Sequence, residues 1–182
     1  AGLVRLADSG LISKTRIPVQ GLRQFATIPI DTRPDLVRQG RHTRVGVTIA
    51  NGNPQGASIR MVLRDTEGTQ VARHEQLLPS GLQRTFYLSD IFDRSQFSGT
   101  LNLSIDMPVA ISARQVTTSL RGDRILSELP IMNDPRIGSV FPFIDGQGVS
   151  TQMFFSSEME KTIETQVDFF DRDGEAMEVI LR

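Results

Sequence analysis

The stretch RVGVTIANGNPQGASIRMVLRDTEG, Arg44 to Gly68, decides the fold. Val45, Val47 and Ile49 alternate with Gly46, Thr48 and Ala50; Ala57, Ile59, Met61 and Leu63 alternate with Ser58, Arg60, Val62 and Arg64. A period of two sends successive side chains to opposite faces, so each run reads as a strand with one buried face. NGNPQG (Asn51 to Gly56) and DTEG (Asp65 to Gly68) end them with the Gly, Asn and Pro residues that tight reversals use.

The same signature extends along the chain. Leu101, Leu103 and Ile105 alternate, then Val109, Ile111 and Ala113, with turns at LPSG (Leu78 to Gly81) and RGD (Arg121 to Asp123). No segment keeps a helical period for three turns; LSDIFD (Leu88 to Asp93) is long enough for one short turn of helix, with Ser89 as its expected cap. Short strands at regular spacing predict an all-β fold of antiparallel β-sandwiches.

A gapless shift of 106 residues lays the chain on itself. Val45, Val47 and Ile49 fall on Thr151, Met153 and Phe155; Ala57, Ile59, Met61 and Leu63 fall on Ile163, Thr165, Val167 and Phe169; Asp65 and Gly68 fall on Asp171 and Gly174. Inward face and turn coincide in register, which points to a repeat the size of one immunoglobulin-like sandwich. More loosely, AGLVRLAD (Ala1 to Asp8) is similar to SGTLNLSID (Ser98 to Asp106), and LISKTRIPV (Leu11 to Val19) to ILSELPI (Ile125 to Ile131). The expected order is terminal strands of one repeat at 1–20, a complete repeat at 21–137, and the first half of another at 138–182.

RVGVTIAN, the LRDTEG turn, FSGTLNLSIDMPVAISARQ and FPFIDGQGVSTQ together resemble the tandem immunoglobulin-like, fibronectin III-like sandwich repeats of large secreted and surface proteins of bacteria. The resemblance covers nearly the whole chain and concerns fold and turns. It implies an extracellular or cell-surface location and non-catalytic structural or adhesive work, and it brings no active-site residues.

Composition excludes several chemistries. Cys is absent, so there are no disulfides, thiolate metal sites or cysteine nucleophile; Trp is absent and Tyr87 is the one tyrosine, which leaves little for base stacking or a sugar-binding aromatic strip. No run of apolar residues is long enough to span a bilayer as a helix. Net charge is −1, yet residues 1–125 carry 16 basic against 10 acidic side chains and residues 126–182 carry 4 against 11, a split that predicts complementary surfaces.

No motif carries a reaction. VDFFDRDG (Val167 to Gly174) has the outline of a calcium loop, but Phe169 stands where the first ligand belongs, and Asp171 and Asp173 alone do not make the site. His42 and His74 have no metal-binding spacing, no GxSxG elbow is present, and GQG (Gly146 to Gly148) lacks a strand-to-helix context. Arg33, Arg38, Arg41, His42 and Arg44 form a basic stretch without interleaved aromatics, which reads as a solvated or interface stripe. RGD and the Asn102-Leu103-Ser104 glycosylation pattern are common by chance. The expectation is a protein that is not an enzyme, with no cofactor and no metal.

An incomplete sandwich leaves backbone and apolar side chains unpaired, and a strand from elsewhere can fill the gap. Leu3, Val4, Leu6, Leu11, Ile12 and Ile17 are the candidate donor residues, and Phe141, Phe143, Met153, Phe155, Ile163, Val167 and Phe169 the candidate acceptor residues. Residues 1–44 hold eight basic and three acidic side chains and face a segment bearing Glu158, Glu160, Glu164, Asp168, Asp171, Asp173, Glu175 and Glu178. Donation between chains predicts head-to-tail self-assembly into a filament. The alternatives are closure within one chain and a monomeric adhesion or polymer-binding module of a secreted protein. Neither nucleic acid nor a membrane span is expected.

Overall fold

The structure is a computed structural model that describes the backbone of residues 2–8 and 11–17 and, with side chains, residues 21–33, 42–118, 122, 124–131, 166–171 and 173–178. These residues fold as antiparallel strands with one short helix. In order they are β1 (Gly2–Asp8), β2 (Leu11–Ile17), β3 (Arg23–Asp31), β4 (His42–Ala50), β5 (Ala57–Asp65), β6 (Gln70–Leu78), β7 (Gln83–Tyr87), α1 (Leu88–Phe92), β8 (Ser98–Thr118), β9 (Arg124–Glu128), β10 (Phe169–Phe170) and β11 (Ala176–Met177).

The alternating residues bury together. Val45, Val47 and Ile49 of β4, Ala57, Ile59, Met61 and Leu63 of β5, and Leu101, Leu103, Ile105, Val109, Ile111 and Ala113 of β8 share one core with Ala26, Ile28 and Ile30 of β3. Burying an aliphatic side chain of this size contributes about 1.5–3 kcal/mol, which makes this core the main source of stability. Leu78, Phe86, Leu88 and Phe97 close its ends.

β8 organises the sheet. Its first half pairs with β5 (Ile59↔Ile105, Leu63↔Leu101) and β3 (Phe25↔Ser104, Ile30↔Gly99); its second half pairs with β4 (Ile49↔Ile111, Val45↔Gln115) and β9 (Arg114↔Glu128, Thr118↔Arg124). β6 extends the first group beyond β5 and β7 extends the second beyond β4. The curled antiparallel sheet thus has two halves joined through one strand, and their inner faces meet in the common core.

The partners change between Ile105 and Pro108. β5 pairing ends at Ile105, β4 pairing begins at Ala110, and β3 skips from Ser104 to Val109. Proline has no N–H to give a ladder, which suits the crossing point. Side chains satisfy the groups released there: Gln24 donates to the Asp106 carbonyl at 3.1 Å, Asn53 donates to the Pro108 carbonyl at 2.9 Å, and the Asp106 carboxylate accepts from Ser58 N–H at 2.9 Å.

The helix departs from its sequence reading. Tyr87 is the N-cap and Ser89 lies inside the first turn; the Asp90 carboxylate reaches back to Tyr87 N–H. Arg44 stacks on the Tyr87 ring at 3.7 Å and bonds Asp90 at 3.0 Å, so α1 is tied to β4 by side chains the turn pattern does not reveal. Among the described residues no helix is long and apolar enough to cross a membrane.

Candidate assembly interface

The candidate donor segment holds an antiparallel strand pair. β1 pairs with β2 in unbroken antiparallel register from Gly2↔Ile17 to Asp8↔Leu11, leaving Ser9 and Gly10 between the strands. Residues directly opposite share a face. By register Val4, Leu6, Leu11 and Ile17 lie on one face, whereas Leu3 and Ile12 lie on the other with Arg5, Lys14 and Arg16. The six donor candidates therefore divide four and two.

β2 follows β1 as β9 follows the second half of β8, each pair being an antiparallel hairpin.

Of the acceptor candidates, Val167 and Phe169 are half-buried, with Phe169 in β10 opposite Met177. Phe141, Phe143, Met153, Phe155 and Ile163 lie outside the described residues. Phe170 and Met177 are 56% and 43% exposed, so the β10–β11 hairpin carries apolar surface on both of its strands. Asp168, Asp171, Asp173, Glu175 and Glu178 are exposed around it.

The two turns that suggested a repeat share one set of hydrogen bonds. At the first, Asp65 N–H donates to Thr69 O at 3.0 Å and Gly68 N–H to Asp65 O at 3.1 Å; the Asp65 carboxylate accepts from Glu67 N–H at 3.0 Å and Thr69 N–H at 2.9 Å. At the second, Asp171 N–H donates to Glu175 O at 2.9 Å and Gly174 N–H to Asp171 O at 3.1 Å; the Asp171 carboxylate accepts from Asp173 N–H and Glu175 N–H, both at 2.9 Å. Gly68 and Gly174 have φ of 82° and 89°, a region where a Cβ is strained. Asp65 and Asp171 each thus commit one carboxylate oxygen to closing their own turn.

The remaining polar candidates sit apart. His42 is exposed opposite Thr118, and His74 is half-buried opposite Met61 on a strand that is not a neighbour of β4. No group of three or more His, Asp or Glu among the described residues is arranged to hold a metal ion. Of the basic stretch, Arg33 forks onto Asp31 at 2.8 and 3.0 Å and Arg44 is held by Tyr87 and Asp90; Arg38 and Arg41 lie outside the described residues. The Asn102 side chain is bonded to Thr100 at 3.0 Å and Thr27 at 3.4 Å within the sheet, and Gly122 of RGD has φ of 85° with its two neighbours outside the described residues.

One polar contact that sequence patterns miss joins the start of the unit to its end. Arg23, at the beginning of β3, donates through Nη1 to the Ile131 carbonyl at 2.8 Å. Leu129 N–H donates to Ala113 O at 3.0 Å, and Leu129 and Ile131 pack against the core.

No family model and no curated protein matches the chain. The crystal structure of Thermotoga maritima 1070 is similar over 60% of this chain and 91% of its own, at 12% identity and a TM-score of 0.49. A likeness at that level bears on neither activity nor partner.

Proposed function

We propose that the chain is a non-catalytic structural protein of a bacterial exterior, built from immunoglobulin-like sandwich repeats and completed by strand addition from its N-terminal hairpin. The observation that carries this reading is the pair of turns at Asp65 and Asp171, with the same four hydrogen bonds and the same glycine conformation 106 residues apart. The arrangement of β3, β5 and β6 over β4, β7 and β9, with β8 common to both, supports two apposed sheets around one core.

Hairpin energetics support completion. Among the described residues β1–β2 and β10–β11 are each two-stranded sheets, and a two-stranded hairpin alone in water is marginally stable. Each gains by packing its apolar face on further strands. On this reading β1–β2 plays the part that the second half of β8 and β9, an antiparallel hairpin beside β4, play in the complete unit. Basic residues in the donor and exposed acids around β10–β11 favour that meeting over donor-to-donor contact.

The test compares the full chain with residues 21–182 by amide exchange, light scattering and negative-stain microscopy. Loss of protection at β10–β11 on removing residues 1–20 supports completion, and filaments that vanish with the same deletion place the donor in a neighbouring chain. Unchanged protection in the shortened chain refutes completion.

A further inference from the structure

β6 is an open edge. Among the described residues it pairs with β5 alone, in unbroken register from Ala57↔Leu78 to Leu63↔Ala72. The other outer strands of the unit are each blunted: β3 has a bulge between Arg23 and Phe25 and a proline at Pro29, β7 is five residues long and runs straight into α1, and β9 is five residues long. Shortness, bulges and prolines keep an edge from pairing with another chain, and β6 has neither bulge nor proline from Ala72 to Leu78. Its outward groups follow from register. Ser58 N–H points toward β8 and bonds the Asp106 carboxylate, so Ala57, Ile59, Met61 and Leu63 turn their main-chain groups to β6, opposite Leu78, Gln76, His74 and Ala72. The N–H and C=O of Arg73, Glu75 and Leu77 therefore face away from the sheet. Arg84 of β7 donates to Gln76 Oε1 at 2.6 Å and braces the strand from the other half of the sheet.

We propose that β6 pairs antiparallel with β6 of a second copy of the chain, about a two-fold axis at His74, joining two units edge to edge. Charge selects the register. Arg73 and Glu75 are exposed, lie on one face of the strand and pair with each other within it. With His74 opposite His74, Arg73 of each copy stands opposite Glu75 of the other; both have outward main-chain groups, so side-chain and main-chain pairing agree. An axis at Arg73 or at Glu75 would set like charges directly opposite, which is destabilising. Charged side chains can guard an edge, but opposite signs two residues apart suit a strand to its own copy. Leu77, 64% exposed, comes at each end beside Val71 of the other copy. The same patch serves both partners, so the contact closes as a dimer and does not propagate, and it stands independently of completion by residues 1–20.

The chain has no cysteine, so a single introduced one reports the contact directly. In this register the two residues at 74 form a non-hydrogen-bonded pair with Cα atoms about 4.5 Å apart, within the span of a disulfide. Full-length His74→Cys is expected to form a disulfide-linked dimer under mild oxidation severalfold faster than Arg73→Cys or Glu75→Cys, whose counterparts lie diagonally and too far. Charge exchange is the second measurement, by sedimentation equilibrium of full chains up to near-millimolar concentration. Arg73→Glu and Glu75→Arg each turn both cross-strand attractions into repulsions and are expected to weaken the dimer about tenfold. Mixed in equal amounts, the two variants regain both attractions and are expected to associate with each other, which neither could do if the substitutions had simply unfolded it. Disulfides that form at 73 or 75 as readily as at 74, a parent chain that stays monomeric throughout, or a mixture that associates no more than its components overturns the β6 pairing, whatever residues 1–20 do.

Discussion

The side-chain amide of Asn51 donates to the main-chain carbonyl of Leu78 at 3.0 Å, joining the loop after β4 to the end of β6. Asn51 is 2% exposed, and its side chain also bonds Gln55 O at 2.8 Å, Pro79 O at 3.3 Å and Asn53 N–H at 3.0 Å. Few substitutions can replace a donor and an acceptor at once. Asn51→Ala is expected to cost about 3 kcal/mol, because each buried group left unpaired costs ~1–3 kcal/mol. Asn51→Asp is expected to cost more at neutral pH, since it turns a carboxylate toward carbonyl oxygens. Urea denaturation of the two variants checks the order; equal stability of all three proteins contradicts it.

Gly99 sits between β3 and β5, opposite Ile30 and Asp65. A Cβ there would lie 2.0 Å from Arg64 O and 2.9 Å from the Asp65 Cα, and the residue has φ of 150°. Backbone on this side cannot yield as a flexible side chain can. Gly99→Ala is expected to destabilise the unit by more than ~3 kcal/mol, in the range reserved for severe core and backbone lesions. Thermal unfolding measures it, and a melting temperature within a few degrees of the parent contradicts the close approach.

The alternation was enough to name much of the core. All the inward residues it picks out between Val45 and Ala113 are buried, because period-two burial leaves its mark on each residue separately. β8 was legible only as two runs. Leu101, Leu103 and Ile105 keep phase with Val109, Ile111 and Ala113, and nothing in that pattern marks the change of partner at Asp106 to Pro108. Arg23 and Asn51 were not legible at all: their partners lie 108 and 27 residues away, and polar pairing at that range has no period. Among the candidate donor residues, register decided which share a face, and the sequence does not state that register.

Acid should act on the end of β3. Burial works to raise the Asp31 pKa, but hydrogen bonds and charge from Arg33 outweigh it and hold the carboxyl below its ordinary 3.8. A carboxyl with a folded pKa below its unfolded one stabilises the fold above the unfolded value, and that contribution is lost as pH falls from about 3.8 through the folded pKa. Arg33 is half exposed, so the effect is small. Arg33→Ala is expected to move the Asp31 carboxyl titration upward when followed by carbon NMR, and Asp31→Asn to flatten this part of the acid limb. A titration unmoved by loss of Arg33 would leave the pair without energetic weight.

The paired turns give the repeat a direct energetic test. Asp65→Ala and Asp171→Ala each remove two exposed carboxylate-to-amide bonds, and water takes over part of what is lost, so each is expected to cost about 1 kcal/mol in its own hairpin. Gly68→Ala and Gly174→Ala place a Cβ in the left-handed region at a further ~1–2 kcal/mol each. Amide exchange reads the two places separately: substitutions at 65 and 68 should loosen β5–β6, and those at 171 and 174 should loosen β10–β11 by a matching step. Matching losses at both turns mean that the two hairpins are closed by the same interactions. A full loss at the first with none at the second would mean that the shared hydrogen bonds do not stabilise the second hairpin, and the repeat would have lost the observation on which it rests.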